Sequence, residues 1–241
     1  MFVRSSVLLI GFVALWQFLV WAFQLPTYLV PAPLQVASTL WYSKLLLLQQ
    51  TWPTLVETLL GLLIAIIWGV VIALSMSLFR IMRFWMLPIL LISQAIPTFA
   101  IAPLFVVWFG YGMSSKVAVT IFALFFPVTI AFFDGLRRTE SGWLDMAKVM
   151  NGNRFRILWY IQLPAAMPAL ASGIRVATAW APMAAVIGEW VGSSQGLGFL
   201  MLNANSRMDI PLMFAALLVL IVMSLLLYFV VDRGLKAIIC W

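Results

Sequence analysis

The stretch Asp134 to Pro164 reads DGLRRTESGWLDMAKVMNGNRFRILWYIQLP, a wet segment in an oily chain. It holds Asp134, Arg137, Arg138, Glu140, Asp145, Lys148, Arg154 and Arg156, although only 9% of the 241 residues are charged. Around it, 65% of the residues are hydrophobic and 12 are tryptophan, a balance too apolar for a soluble globular domain. The chain therefore reads as an all-α polytopic integral membrane protein forming one domain over residues 1–241. The stretch 134–164 is the part of it built to meet something in water.

Working outward, charge-free runs long enough to cross the bilayer recur; a crossing needs roughly 20 apolar residues for about 30 Å of hydrocarbon. With one run that carries Arg175, they predict about six spans: Ser6 to Phe23, Thr58 to Phe79, a kinked Leu87 to Phe109, Val117 to Phe133, Ala166 to Gly188 (with Arg175 in its first half) and Ile210 to Val231. The first is longer than a signal-peptide core and has no small-residue cleavage site after it, so it reads as a retained helix. Between the first two, Pro26, Pro31 and Pro33 stop the first helix, and Leu34 to Leu48 is expected to lie as a short helix at the outer interface.

Lysine and arginine are retained on the cytoplasmic side. With the N-terminus inside, ten of them (Arg4, Arg80, Arg83, Arg137, Arg138, Lys148, Arg154, Arg156, Arg233 and Lys236) fall on inner segments. Three (Lys44, Lys116 and Arg207) fall on outer ones. The bias places both termini and the 134–164 stretch in the cytoplasm. It also explains the net charge of +7 by topology rather than nucleic-acid binding. One cysteine, Cys240, and no histidine leave no disulfide framework and no metal site.

Inside the stretch, Ser141 is placed to cap a helix running to about Met150, with Asp145 and Lys148 suited to its two ends. Trp143, Met146, Ala147 and Met150 recur at i, i+3, i+4 and i+7 and form one apolar stripe. That stripe either meets a partner or packs back on the protein's own inner surface. Asn151-Gly152 ends the helix, since both residues tolerate the left-handed conformation. A second helix is expected from Arg154 to Gln162, halted near Leu163-Pro164.

These residues carry a resemblance. Asp145-Met146-Ala147, then Asn151, then Ile161-Gln162-Leu163-Pro164 resembles the cytoplasmic EAA loop of permease subunits of binding-protein-dependent ABC importers: E-A-A, three residues, G, nine residues, I, one residue, L-P. Met146 replaces the first alanine and Asn151 the glycine. Ile96-Pro97, Ala102-Pro103-Leu104, Trp108-Phe109-Gly110 and Ser115-Lys116 are similar to segments of the nitrate, sulfonate and taurine branch, as is Pro31-Ala32-Pro33. Gly188-Glu189-Trp190-Val191-Gly192-Ser193-Ser194 with Gly196-Leu197-Gly198 resembles most the permeases for pyrimidine precursors of thiamine. The resemblance covers roughly Pro31 to Lys236.

It implies a type I importer permease fold in a bacterial inner membrane. It also implies a second permease copy, two ATP-binding subunits holding ATP and magnesium, and an extracytoplasmic substrate-binding protein. Trp143, Asp145, Met146, Ala147, Met150, Asn151, Gly152, Leu163 and Pro164 would form the coupling loop, with Trp143, Ala147 and Met150 pressed into the ATPase groove. No cofactor and no catalytic residue is expected in this chain, because no G-x-x-x-x-G-K-[ST] loop occurs in it.

For the translocation path or its gate, the candidates are Gln94, Pro97, Pro103, Trp108, Trp180, Glu189, Gly196 and Gly198. The tryptophans suit stacking on a ring but suit interfacial anchoring equally. Glu189 is either a functional intramembrane acid or an interfacial carboxylate facing water. Gly192, Gly196 and Gly198 suggest a re-entrant turn lining a vestibule. Arg175 is expected to snorkel to the inner interface, and Glu57 and Asp209 to be surface charges at outer helix ends. An ion-coupled transporter or channel is the alternative, disfavoured because no acid falls near mid-span. An intramembrane enzyme lacks histidine and paired carboxylates.

Overall fold

The computed structural model describes residues 2–238, with side chains from residue 10 onward; Cys240 lies outside them. Among the described residues all regular structure is helical. In order these are α1 (Phe2–Ala22), α2 (Pro33–Tyr42), α3 (Lys44–Leu78), α4 (Arg80–Ala95), α5 (Thr98–Phe109) and α6 (Met113–Arg137). Then follow α7 (Ser141–Val149), α8 (Arg154–Ile157), a π-helical turn (Leu158–Gln162), α9 (Leu163–Gly192), α10 (Leu197–Ser206) and α11 (Ile210–Ile238). Helices suit lipid because each satisfies its own backbone N–H and C=O groups. Four helical stretches, α3, α6, Arg154–Gly192 and α11, are each long and apolar enough to cross a membrane, and α4 with α5 counts as a fifth taken together. The described apolar part of α1, Ile10–Ala22, is shorter.

Three expectations change. The kinked span from Leu87 to Phe109 is two helices, α4 and α5, meeting at 106°. Pro97 excludes the helical conformation from the residue before it, and Ile96 is accordingly extended, at φ −85° and ψ 119°. The interfacial helix from Leu34 to Leu48 ends at Tyr42, and α3 begins at Lys44, well before the apolar run that marked it in sequence. Arg154 to Gln162 is not halted at Pro164 but continues into α9, giving a 39-residue helical stretch. There the N–H of Leu163 reaches back five residues to the Leu158 carbonyl. This wider turn carries the chain past a proline that cannot make the usual bond.

The chain forms two compact units. One comprises residues up to Thr54 with Ser194–Val222. Its core is Val36, Leu47, Leu197, Leu200, Met201, Ala215 and Ala216, with Trp16 packed against Phe214 at 5.8 Å between ring centroids. Here Gly196 is the N-cap of α10, and its φ of 114° suits only glycine well. Its first N–H groups are satisfied from α3: Gly196 donates to Gln50 Oε1, and Leu197 donates to Thr54 Oγ1 at 2.8 Å.

The other unit comprises Leu55–Ser193 and the residues from Met223 onward. Its backbone is the seam between α6 and α9, which allows close approach because small residues line it. A Cβ on Gly173 would stand 2.8 Å from Ala131 Cβ and 3.0 Å from the Pro127 carbonyl. Two clusters flank the seam: Leu62, Ala65, Leu124, Val128, Ala177, Ala181 and Ala184, and separately Ala73, Met76, Leu90, Phe132, Phe133, Leu136, Leu158 and Ala166. Arg175 does not snorkel freely. Its Nε donates to Asp232 Oδ1 at 2.7 Å, and Lys236 donates to Asp232 Oδ2 at 2.6 Å, tying α9 to α11.

The seam yields a prediction. Gly173→Val should destabilise the purified protein by about 1–3 kcal/mol, the cost of overpacking a close-packed interior. Gly234→Ala, where the added Cβ meets nothing within 4 Å, should leave the Tm in detergent unchanged.

Candidate coupling surface

The seam also builds the site. At the C-terminal end of α6, a Cβ on Gly135 would stand 2.5 Å from Ala169 Cβ and 3.2 Å from Ala166 Cβ. The two ends of the polar loop are therefore held against each other. Gln162 Nε2 adds a hydrogen bond of 3.3 Å to the Leu136 carbonyl. Between these ends stands α7.

The start of α7 differs slightly from expectation: Glu140, not Ser141, is the N-cap, and no side-chain oxygen caps it. The end is as the residue types suggest. Asn151 adopts φ 56°. Its N–H donates to the Lys148 carbonyl at 2.9 Å, and that of Gly152 donates to the Ala147 carbonyl at 2.8 Å. This pair of bonds is the Schellman arrangement, which satisfies carbonyls that a helix end otherwise leaves bare. Gly152 is not itself left-handed; it is required because a Cβ there would lie 2.8 Å from the Ala147 carbonyl oxygen. Asn153 Oδ1 then accepts from the Arg156 N–H at 2.8 Å and opens α8.

The apolar stripe divides. Ala147 is 8% exposed and faces the chain's own body, whereas Trp143, Met146 and Met150 are 54%, 66% and 74% exposed. Val149, which the stripe did not include, is 86% exposed. Trp143, Met146, Ala147 and Met150 form one wall of a groove of about 520 Å³, and Tyr160, Ile161 and Pro164 form the facing wall. Leu163 opens α9 beside it. Ala147 is thus small because its own chain packs over it. Asp145 pairs with Lys148 at 2.8 Å, both side chains more than two-thirds exposed. Such a pair contributes little to stability.

The remaining candidates do not share one environment. Gln94 and Pro97 sit exposed at the α4–α5 break, and Pro103 and Trp108 are exposed on α5, with Trp108 edge-on to Phe105 at 5.7 Å. Trp180 is 58% exposed on α9. Glu189, on the same helix, is 1% exposed and so is not an interfacial carboxylate facing water. Gly196 caps α10, and Gly198 is buried within that ten-residue helix. Asp209 is exposed and caps α11, accepting from the Leu212 N–H at 3.2 Å.

Glu57 is the clearest departure. Expected at the surface, it is fully buried, and its Oε1 accepts from Lys116 Nζ at 2.9 Å. Lys116 is itself 4% exposed rather than an outer-loop charge. Charges 59 residues apart leave no local pattern from which to pair them.

With this geometry in place, the match to known proteins is direct. Residues 61–239 match the family model described as "Binding-protein-dependent transport system inner membrane component". The chain belongs to that family. It is a permease subunit of an ABC importer, non-catalytic and embedded in the membrane. A probable ABC transporter permease protein of Haemophilus influenzae is 51% identical over 90% of this chain and 89% of its own length. The formylaminopyrimidine transport permease protein ThiX of Halalkalibacterium halodurans is 31% identical over 89% of this chain and 86% of its own. The riboflavin transport system permease protein RibX of Chloroflexus aurantiacus is 34% identical over 90% and 81%. A solved chain of the MetNI methionine ABC transporter, inward facing, superposes with a TM-score of 0.70 at 18% identity, covering 81% of this permease and 97% of that chain. The fold is that of type I importer permeases.

The helix end gives a second prediction. Asn151→Gly should leave α7 as stable as before, while Asn151→Val, forced into the left-handed region, should cost roughly 1–2 kcal/mol. Amide hydrogen exchange across residues 144–152 reads this locally: faster exchange in the valine variant alone is expected.

Proposed function

We propose that this permease couples to a separate ATPase subunit through α7, and that Trp143, Met146, Val149 and Met150 form the contact. The observation that carries the reading is the exposed apolar face of α7 beside its groove, on a helix fixed at both ends. Exposed methionines and a tryptophan on a polar loop suit burial by a partner. Asp145, engaged only by Lys148 of its own helix among the described contacts, is free to exchange that partner for a basic group on the ATPase. The reading extends to a homodimer of permeases with two ATPases and an extracytoplasmic binding protein, in an inner membrane with both termini cytoplasmic.

The solute is proposed to be small and polar, first a pyrimidine precursor of thiamine, with sulfonate, taurine or nitrate behind it. Two relatives named for formylaminopyrimidine and riboflavin support a ring-bearing solute. The segment Gly188 to Gly198 supports the pyrimidine.

In proteoliposomes, uptake should require the ATPase, ATP and the binding protein together. ATP-independent uptake by the permease alone would instead indicate an ion-coupled carrier. Met146→Asp with Met150→Asp should lower ATPase affinity by tenfold or more, about 1.4 kcal/mol, and leave the permease Tm unchanged. Ala147→Arg should lower the Tm itself, because the side chain it replaces is buried.

A further inference from the structure

Arg80 and Arg83 are the only charged residues between Glu57 and Lys116, and no acid falls between Glu57 and Asp134. Both stand in the first turn of α4, where cations oppose the helix dipole, so the stability of α4 does not account for them. Neither guanidinium enters an ion pair among the described residues. Two neighbouring cations without an anion are open to one from outside.

Their place along the chain says where that anion comes from. From Thr58 to its last residue, Leu78, α3 carries no charge, which is about 30 Å of helix and the thickness of the hydrocarbon layer. Arg80 therefore stands where the apolar layer ends. It is the end that carries α7, because Ser77 and Leu78 line a small pocket with Leu144 and Lys148 of α7 and Arg154 of α8.

Met86, Leu87 and Leu90 anchor α4 on the core that contains Ala73, Met76, Phe132 and Phe133. This leaves Arg80 exposed and Arg83 half-buried. The two arginines share an open groove of about 710 Å³ with Ile81, Phe84, Leu87 and Pro88. The groove is cationic at the first turn of α4 and apolar one turn farther on. Phe84 is 71% exposed and lies edge-on to Trp85 at 5.4 Å, itself 62% exposed. Aromatic side chains of this kind suit the boundary between hydrocarbon and headgroups. A free inorganic anion would use the guanidiniums and leave the apolar wall bare. An anion that carries an acyl chain uses both.

We propose that Arg80 and Arg83, with Phe84, Leu87 and Pro88, form a binding site for an anionic phospholipid. The guanidiniums hold the phosphodiester, whose paired oxygens match their fork of donors, and an acyl chain lies along the apolar wall. Basic pockets at this depth recognise anionic headgroups. The site stands apart from the coupling reading; only its assignment to the cytoplasmic leaflet follows the orientation proposed above.

The test uses the full-length permease purified in detergent, with phosphatidylglycerol or phosphatidylcholine of the same acyl chains added and retained lipid counted by native mass spectrometry. Phosphatidylglycerol should be retained roughly tenfold over phosphatidylcholine and should raise the Tm where phosphatidylcholine does not. Arg80→Gln with Arg83→Gln should abolish both preferences. Arg207→Gln with Arg233→Gln, which removes the same charge from exposed positions elsewhere, should keep them. Phe84→Ser should weaken retention of phosphatidylglycerol, and inorganic phosphate at the same concentration should leave the Tm unchanged. Equal retention of the two lipids, a preference that survives in the Arg80 and Arg83 variant, or one lost equally in the control pair would overturn the proposal. A phosphate effect as large as that of phosphatidylglycerol would make this a free-anion site instead. Loss of ATPase binding in the arginine variant with lipid retention unchanged would place a protein there instead. If the paired variant does not fold, Arg80→Gln alone, at an exposed position, should still lower the preference by roughly fivefold, and no change in it would sink the idea.

Discussion

Everything that positions the working surface depends on how closely α6 and α9 approach. Lipid offers helices little hydrophobic reason to associate, so contact distance sets the strength of association. Gly135, Gly173 and Gly188, set against Ala131, Ala166, Ala169 and the Lys116 backbone, let the two helices touch along their length. At the C-terminal end of α6 this contact clamps both ends of the polar loop, and α7 is presented on a fixed base. Farther along, it sets Gly188 against the Lys116 backbone. One seam thus fixes the base of α7 and packs against the buried Lys116.

The polar loop shows how little chain is needed to hold a short helix with one exposed apolar face. Backbone hydrogen bonds at the Asn151 turn, with side-chain bonds from the Asn153 cap and from Gln162 to the Leu136 carbonyl, hold the loop's backbone in place. The side chains of Trp143, Met146 and Met150 are then left with no internal task. Ala147 does have one, and the division between buried alanine and exposed methionines makes α7 part of the protein on one side and a surface on the other. The π-helical turn before Pro164 matters here, because it keeps Tyr160 and Ile161 in continuous helix facing α7 and so closes the groove.

Much of this was legible in sequence because it is local. Charge-free runs marked the positions of the main helices, and the spacing Trp143, Met146, Ala147, Met150 marked α7. Asn151-Gly152 marked its end. What was illegible is non-local or turns on how a proline is accommodated. Pro97 and Pro164 are the same residue type before an apolar stretch, yet one separates two helices by 106° and the other is absorbed in a wide turn. Glu57 and Lys116 each look like terminal charges until the fold brings them to 2.9 Å. Gln50 and Thr54, which cap α10 from 143 to 146 residues away, had no signal at all.

The central claim is that α7 offers its methionine face, and not its alanine face, to an ATP-binding partner. Single-cysteine variants at Ala147, Met146, Val149 and Met150, made in a background with Cys240 replaced by serine, test it directly when cross-linked to the assembled ATPase. The account predicts products from Met146, Val149 and Met150 and none from Ala147. Efficient cross-linking from Ala147, with silence at the other three, would contradict it.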